Sequence, residues 1–468
     1  MQPPENHPNI AAVTEDPVWK LNTGSNKIHA KRLPGRFRTI KWLTASVWLI
    51  FFVGPYLRWG DRQAVLFDIA NRQFHLFGVT VYPYDVWMLS FVLLFFAMLL
   101  LLVTIVAGRA FCGYFCFQTV WTDLFSWIEE RLEGPPRARA VLDTAPWDLR
   151  KLRVKISKHF LWLIISMMTG VSFTAWFTDA YQLWIDYFTL QAHLSAWIVL
   201  LMFAAGTYLF AGFMREQVCF WLCPYARIQG VLYDDNTLLP TYDEARGEPR
   251  AKLDRSVKSQ RVGCVDCDQC VAVCPTGIDI REGQQIGCIT CGLCIDACDR
   301  VMDKINQPRG LIRYDSLTGL LGNTPRRWYQ RPQLLVSAAI IMVSLISVVR
   351  GLNNMTEAEL SVSPKRQPMY VLMSDGAIQN SYRIRIFNKS ETDSNYRIEV
   401  EGFEEMSVTG NGKPLLVEAG RRANALLYVK IFPEQLSKEI SPLKFRIVNV
   451  SRESPVIEYQ SAFMAPRT

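Results

Sequence analysis

Residues 264–275 read CVDCDQCVAVCP, and residues 288–298 read CITCGLCIDAC. Both runs have the spacing C-x2-C-x2-C-x3-C, which is typical of bacterial ferredoxins that carry two iron–sulfur clusters. Three cysteines on one tight loop cover only three corners of a cubane, so we expect each fourth ligand to come from the other run. The spacing therefore predicts two [4Fe–4S] clusters, one held by Cys264, Cys267, Cys270 and Cys298 and the other by Cys288, Cys291, Cys294 and Cys274.

Two structural zinc ions are the alternative for these eight cysteines. Zinc usually takes its ligands as two separated pairs, often with histidine, and no histidine lies near either run. The doubled pattern therefore favours clusters. The runs differ in one place, because Asp299 follows the second run where Pro275 follows the first. This changes the turn after Cys298 but removes no ligand.

The composition indicates a membrane protein that carries soluble parts. The chain has 468 residues, too many for one ordinary core, and half of them are hydrophobic. The net charge of +8 is not read as nucleic-acid binding, because the basic residues gather in loops between apolar runs, which is a topology signal. No P-loop is present and no G-x-G-x-x-G follows a predicted strand. Electrons are therefore expected to come from another protein or from a membrane quinol.

Five apolar runs are candidates for membrane-spanning helices, each of which needs about 20 apolar residues. They are residues 40–57, 86–107, 160–177, 194–213 and 334–349. The loop 109–158 is rich in Lys and Arg, whereas residues 178–193 contain neither. By the positive-inside rule this predicts a multi-pass protein of the bacterial inner membrane, with its N-terminus and the cysteine runs in the cytoplasm and its C-terminal part in the periplasm. All 12 cysteines lie between Cys112 and Cys298, which agrees with this orientation.

The C-terminal part predicts an antiparallel β-sandwich of immunoglobulin type. Short stretches such as YRIRIFN at 382–388 and YRIEVEG at 396–402 alternate with period two, and turn signals separate them. We expect this domain either to dock onto a partner or to be no more than a folded terminus.

A second group of cysteines follows the second and fourth apolar runs. Cys112 and Cys116 lie in GRAFCGYFCFQ, and Cys219 and Cys223 lie in REQVCFWLCP. The i, i+4 spacing places both thiols of a pair on one face if the helix continues, and the matched positions indicate an internal repeat. Four converging thiolates would suit Cu(I), zinc or a further iron–sulfur cluster. The alternative is that these cysteines are small buried apolar residues.

The histidines give weaker signals. There are five in the chain. His159 and His193 are predicted at opposite ends of neighbouring helices, so they cannot ligate one haem together, and each is interpreted as an ordinary interfacial residue.

Together these patterns predict a multi-domain membrane protein. It combines an α-helical transmembrane bundle of about five helices with an inserted two-cluster ferredoxin-like domain and a C-terminal all-β immunoglobulin-like sandwich. The expected segments are a flexible cytoplasmic tail (1–38), a four-helix region with two CxxxC helix ends (39–230), the ferredoxin-like domain (231–332), a fifth helix (333–350) and the sandwich (351–468).

Three stretches carry a resemblance to a known family. GRAFCGYFCFQTVWTDLF, CVDCDQCVAVCPTGIDIR and PMYVLMSDGAIQNSYRIRIFN closely resemble the cytochrome c oxidase accessory proteins of the CcoG/FixG/RdxA type, in the same order along most of the chain beyond about residue 35. The resemblance implies a role in maturing the cbb-type haem–copper oxidase and an activity that reduces Cu(II) to Cu(I). The family's usual C-x3-C-P is matched by Pro224 but not by Phe117, where proline would end the helix.

The function expected from these features is a membrane-bound iron–sulfur cupric reductase. Copper would be held near Cys112, Cys116, Cys219 and Cys223 and passed to a copper transporter or chaperone, with oxidase assembly factors as further partners, an electron donor that the sequence does not identify and no role for nucleic acid. One alternative is a relay that oxidises quinol in the membrane. The other is an assembly scaffold that is not an enzyme.

Overall fold

The computed structural model describes residues 28–251, 263–390, 392–436, 438–450 and 457–466. Among these residues, five helices are long and apolar enough to cross a membrane, as the apolar runs predict. We call them the first to fifth spans: Arg36–Tyr56, Val86–Ala107, Leu149–Thr174, Leu194–Met214 and Pro332–Asn353.

Several spans extend beyond their apolar runs because polar turns continue the helix. The third span begins at Leu149, where the Asp148 carboxylate accepts a hydrogen bond from the Lys151 backbone N–H at 2.6 Å and caps the helix. The fifth span, whose apolar run covers only residues 334–349, runs for 22 residues. It is anchored at its start by Arg331, which pairs with Asp234 at 2.8 Å.

A small sheet between the first two spans was not predicted. Its three antiparallel strands are Val65–Asp68, Gln73–Leu76 and Val79–Val81, and a two-residue pair, Arg58–Trp59 with Arg62–Gln63, precedes it. The buried Gln63 side chain donates a hydrogen bond to the Ala175 carbonyl at 2.9 Å. This bond ties the sheet to the end of the third span.

Shorter helices fill the other connections. They are Ala110–Tyr114, Phe117–Glu133 and Pro136–Thr144 after the second span, Ala180–Phe188 after the third, and Pro224–Leu232 after the fourth. The amphipathic helix Phe117–Glu133 packs Phe125 against Trp162 of the third span, with ring centroids 5.0 Å apart. Its fully buried Glu129 pairs with Arg215 at 2.7 Å and with Arg139 at 3.4 Å. These ion pairs join three segments at one end of the spans.

The cysteine-rich domain is inserted between the fourth and fifth spans. Strands Leu239–Tyr242 and Ile312–Asp315 pair in antiparallel fashion and close its two ends together. Helix Leu293–Lys304 and the short helix Gln269–Ala272 carry cysteines of the two runs. Its core contains Met302 and other buried apolar residues together with several of the cysteines.

The N-terminal segment 28–38 differs from the flexible tail expected there, while residues 1–27 lie outside the described residues. The Lys31 backbone N–H donates to the Ala272 carbonyl at 2.6 Å, and the Phe37 N–H donates to Asp296 Oδ2 at 2.9 Å. Beyond residue 27, the predicted tail is thus packed against the cysteine-rich domain.

A second compact unit, residues 349–468, is a β-sandwich. One sheet has the strand order Met406–Thr409, Arg422–Ile431, Ile378–Asn388 and Ala358–Pro364, with Val371–Leu372 also paired to the third of these. The other has the order Leu415–Val417, Ser394–Glu401, Ile440–Asn449 and Ile457–Met464. Alternate residues such as Tyr382, Ile384 and Phe445 are fully buried between the sheets, as period-two patterning requires.

Candidate metal centres

The cysteines of the first predicted set surround one cavity. Cys264, Cys267, Cys270 and Cys298 line it together with the apolar side chains of the domain core. Burial and the neighbouring Cys270 thiol raise the pKa of Cys298 to about 12. Cys298 from the second run thus lies beside three cysteines of the first.

The second predicted set surrounds an adjacent cavity. Cys274, Cys288, Cys291 and Cys294 line it, and Cys270 lines it as well as the first. Burial and three neighbouring thiols of the same set raise the pKa of Cys294. The eight cysteines are brought together in the two sets that the spacing predicts, and cluster ligation by these individual residues stays a prediction.

Both loops wrap in the same way. Asp266 and Asp268 in the first run, like Thr290 and Gly292 in the second, have positive φ angles between 46° and 69°. This left-handed conformation turns the chain sharply between successive cysteines. In the first run, Arg281 stabilises the loop because it forms ion pairs with Asp266 at 2.7 Å and with Asp268 at 2.6 Å.

The two CxxxC pairs occupy matching places in a backbone repeat. Gly108 follows the second span with φ 55° and ψ −125°, and Arg215 follows the fourth with φ 46° and ψ −115°. Each lies four residues before the first cysteine of its pair. Arg215 therefore holds a conformation that favours glycine, and its guanidinium is fixed by buried Glu129.

The helix does not continue through either pair. The prediction that both thiols of a pair share one helical face required a continuous helix, so it does not hold. Cys116 and Cys223 both have extended backbone, with ψ 128° and 109°, and each precedes a new helix. Phe117 begins its helix as Pro224 does. The first pair thus adopts the same break without proline, and the first position of the new helix accepts Phe117 as it accepts Pro224.

The four thiols of these pairs are neighbours. The pKa of Cys112 is raised to about 12 by burial and by the adjacent thiols of Cys116, Cys219 and Cys223. Among the described residues, no three His, Cys, Asp or Glu side chains are close enough to hold a single metal ion, and this applies equally to the eight cysteines of the inserted domain. The four thiols are therefore farther apart than the ligands of a single bound ion would be.

A buried amide accompanies Cys112. The Cys112 Sγ donates to Gln229 Oε1 at 3.4 Å, and Gln229 is fully buried, with no hydrogen-bond partner for its Nε2 among the described residues. A buried donor without a partner is costly. Because the two ends of an amide are assigned from the hydrogen-bond network, the same side chain can present its N–H groups to a Cys112 thiolate. Gln229 was not predicted from the sequence, in which only its place six residues after Cys223 links it to the pair.

The helix of the first CxxxC pair packs against the loop that lines the second cavity. Cys112 and Cys291 belong to one buried cluster of side chains. The Tyr114 hydroxyl donates to the Cys291 carbonyl at 3.0 Å, and the Arg109 N–H donates to Thr290 Oγ1 at 3.1 Å. The loop that carries Cys291 is thus seated on the helix that carries Cys112.

Comparisons with known proteins agree with this organisation. Family profiles match three segments: a 4Fe-4S binding domain at residues 89–136, a 4Fe-4S dicluster domain at 214–317, and an Ig-like fold at the C-terminus of FixG at 348–466. The first of these segments contains just two of the cysteines, Cys112 and Cys116. The immunoglobulin-like fold predicted for the C-terminal domain is confirmed.

Three relatives match most of the chain. Protein RdxB of Cereibacter sphaeroides is 41% identical over 83% of this chain and 85% of its own length. Protein RdxA of the same organism is 43% identical over 80% of this chain and 82% of its own length. Nitrogen fixation protein FixG of Rhizobium meliloti is 38% identical over 90% and 88%. The chain therefore belongs to the FixG/RdxA family of polyferredoxins and is a bacterial membrane protein with iron–sulfur redox domains.

Proposed function

We propose that this protein reduces Cu(II) to Cu(I) at the four thiols of its CxxxC pairs, in the service of cbb-type cytochrome c oxidase assembly. The observation that carries the proposal is the contact between Cys112 and the Cys291 loop within one buried cluster. It brings a set of soft ligands next to a predicted redox centre.

The cysteine sets of the inserted domain fit [4Fe–4S] clusters. The four cysteines of each predicted set line one cavity, three from one wrapped loop and one from the other run, which is the donor set of a two-cluster ferredoxin. Bound there, a cluster supplies one electron at a time. Because Cys270 lines both cavities, electron passage between them is short.

The CxxxC thiols would bind the copper substrate. Reduction is a one-electron step, Cu(II) + e⁻ → Cu(I), and thiolates favour Cu(I) as a soft ion. Their preference raises the effective copper potential, and each increment of about 59 mV favours reduction tenfold. Since the thiols are spread more widely than the ligands of one ion, they must move inward to hold copper. Cu(I) would then leave to a transporter or chaperone.

The orientation that serves this function places the cysteine-rich domain in the cytoplasm. The basic loop 109–158 favours this side of the bacterial inner membrane. The immunoglobulin-like domain would then lie in the periplasm, available to assembly factors of the oxidase.

A further iron–sulfur cluster is the second candidate for the occupant of the CxxxC thiols. It is favoured by the 4Fe-4S profile over residues 89–136, which holds two cysteines and so leaves the other two ligands to be supplied by Cys219 and Cys223. The wide spacing of the thiols suits a cubane better than one ion. In that case the pairs would extend the electron path and not bind copper.

The test is a copper titration of the anaerobically purified protein. The protein is reduced, freed of excess reductant, and given Cu(II) together with a chelator specific for Cu(I). We expect the amount of Cu(I) formed to equal the number of electrons lost by the clusters, as their absorbance reports. The double variant Cys112→Ser, Cys219→Ser should lose copper reduction while the inserted domain keeps its absorbance.

The control variant is Cys267→Ser, which alters the first cavity but leaves the CxxxC thiols intact. It should still bind Cu(I). Unchanged copper reduction in the double variant would contradict the proposed site. An iron content equal to three clusters, which falls to two in the double variant, would assign the thiols to a further cluster.

A further inference from the structure

A groove on the third and fourth spans contains a histidine that the proposed function does not use. His159 and Tyr208 line it with apolar side chains of the third span, and it encloses about 450 Å³. Ligand pockets usually measure about 300–1,000 Å³. The groove therefore has room for a small aromatic ring and part of a chain.

The polar part of the groove is the pair formed by these two residues. His159 Nδ1 lies 2.9 Å from the Tyr208 hydroxyl, and within the described part of the chain its Nε2 has no hydrogen-bond partner. Phe213 stacks on the imidazole with an interplanar angle of 13°, and Trp162 meets it edge-on. The ring is thus held in place while one nitrogen stays available.

The groove opens on a surface expected to face lipid. Ile156, Phe160 and Leu163 line it and are each at least half exposed on a helix long enough to cross the membrane. The nearby Lys155 is already paired with Glu133 at 2.8 Å and with Asp143 at 2.6 Å. Because this charge is compensated, the groove favours an uncharged, lipid-soluble ligand with a hydrogen-bonding head.

We infer that the groove binds the head group of a membrane quinone or quinol through His159 Nε2. The Tyr208 hydroxyl both donates and accepts, so it can match either tautomer of the imidazole. With the proton on Nε2, His159 donates to a quinone carbonyl. With the proton on Nδ1, Nε2 accepts from a quinol hydroxyl. The same pair therefore serves both redox states of the ligand.

The groove is linked along the chain to the second CxxxC pair. Phe213, which stacks on His159, precedes the positive-φ residue Arg215 by two positions, and Cys219 follows four positions later. Oxidation of one quinol gives one quinone, two protons and two electrons, balanced by one-electron reduction of two [4Fe–4S] centres. His159 Nε2 accepts the first proton and passes it to water, and the second proton leaves to water by the same route after the imidazole is neutral again. This inference rests on the iron–sulfur redox function and not on copper reduction.

Binding is tested on the full-length protein in lipid nanodiscs with a fluorescent hydroxyquinoline N-oxide, a quinol analogue. Saturable quenching of the probe, reversed by a short-chain ubiquinone, is expected. Replacing the imidazole in His159→Phe removes one hydrogen bond to the ligand, so affinity should fall about tenfold. Tyr208→Phe removes only the hydroxyl that orients His159 and should weaken binding about threefold.

The matched control is His193→Asn, since His193 caps the start of the fourth span and asparagine can also cap a helix. Its affinity for the probe should equal that of the unchanged protein.

The inference would be overturned if ubiquinone did not reverse the quenching of the probe, or if the quenching depended on lipid content alone. Either result would identify a groove for an acyl chain. An unchanged affinity for the probe in both single variants, Tyr208→Phe and His159→Phe, would also overturn the inference. If His159→Phe does not fold, the isosteric Tyr208→Phe decides. Since no copper is present, failure here leaves the copper test unaffected.

Discussion

Gly113 lies so close to Cys291 that a β-carbon built on the glycine would come within 3.1 Å of the Cys291 Cα and within 2.6 Å of the Ile289 carbonyl oxygen. Only a residue without a side chain permits this approach of two backbones. In Gly113→Ala the Cys291 loop must shift, which should cost about 1–3 kcal/mol in unfolding free energy. Copper reduction by the prereduced protein should slow because the two centres move apart. Thermal unfolding and stopped-flow copper reduction measure the two effects.

The matched control for this change is Gly230→Ala. Gly230 lies in helix Pro224–Leu232, and an added β-carbon would meet nothing within 4 Å. Alanine favours the helix by up to about 1 kcal/mol, so stability should be unchanged or higher and the rate unchanged. Equal rates in the two variants would show that the close contact is not needed for electron passage.

Each cysteine run is predicted to supply one ligand to the cluster held mainly by the other run. Cysteine variants should therefore group by the cavity that they line and not by the run to which they belong. Cys298→Ser should alter the same cluster as Cys267→Ser, although the two cysteines belong to different runs, because both line the first cavity. Cys274→Ser should match Cys288→Ser instead. EPR spectra of the reduced proteins and their iron content test this. Spectra that group by run would contradict the exchange.

Gln229 should strengthen metal retention by the CxxxC thiols. Its amide lies 3.4 Å from Cys112 Sγ, and in the part of the chain that the structure describes its Nε2 has no hydrogen-bond partner, so it can donate to a thiolate once the thiol proton has left. Gln229→Leu keeps the buried volume but removes the donor. We expect Cu(I) affinity to fall about fivefold, as loss of one hydrogen bond of about 1 kcal/mol implies. Competition with a Cu(I) chelator measures it, and an unchanged affinity would rule out the hydrogen bond.

Asp123 should stabilise the docked N-terminal segment through its charge. Burial alone would raise the pKa of this carboxyl group, but Lys41, Arg38 and Arg32 lower it to about 2. Asp123→Asn leaves these three cations without their carboxylate and should lower the unfolding free energy by about 3 kcal/mol. Thermal unfolding at pH 7 measures this, with Asp303→Asn, which removes an exposed ion pair, as a control of little expected effect.

The pH dependence of this stabilisation has a definite sign. The folded pKa is below the ordinary value of 3.8, so the contribution is complete above about pH 4 and is lost as the pH falls toward 2. The difference between the unchanged protein and Asp123→Asn should therefore shrink only over this acidic range. A difference that already shrinks between pH 7 and 5 would contradict the assignment.

Strong local patterns predicted much of the architecture. The run Val86–Ala107 could be read directly as a span because it is apolar throughout and free of charge. The doubled cysteine spacing fixed the sets that line the two cavities, because loop geometry leaves few ways to surround a cubane. Alternation in YRIRIFN predicted a strand that the structure places at Ile378–Asn388.

Features that depend on distant contacts could not be predicted. The helix break at Cys116 is one such feature, since no local residue such as proline signals it. His159 was interpreted as an ordinary interfacial residue, since its pairing with Tyr208 joins two spans. The sheet at Val65–Val81 was missed because its strands are only three or four residues long.

The packed N-terminal segment also bears on the order in which the protein matures. Phe37 leaves the ribosome long before Asp296, which accepts its backbone N–H across 259 positions of sequence. Contacts of such separation form late in folding. During synthesis residues 28–38 therefore have no partner at first. The side of the cysteine-rich domain that they cover stays exposed until that domain has been made. We therefore expect this side of the cysteine-rich domain to stay open to cluster-loading proteins until residues 28–38 pack against it.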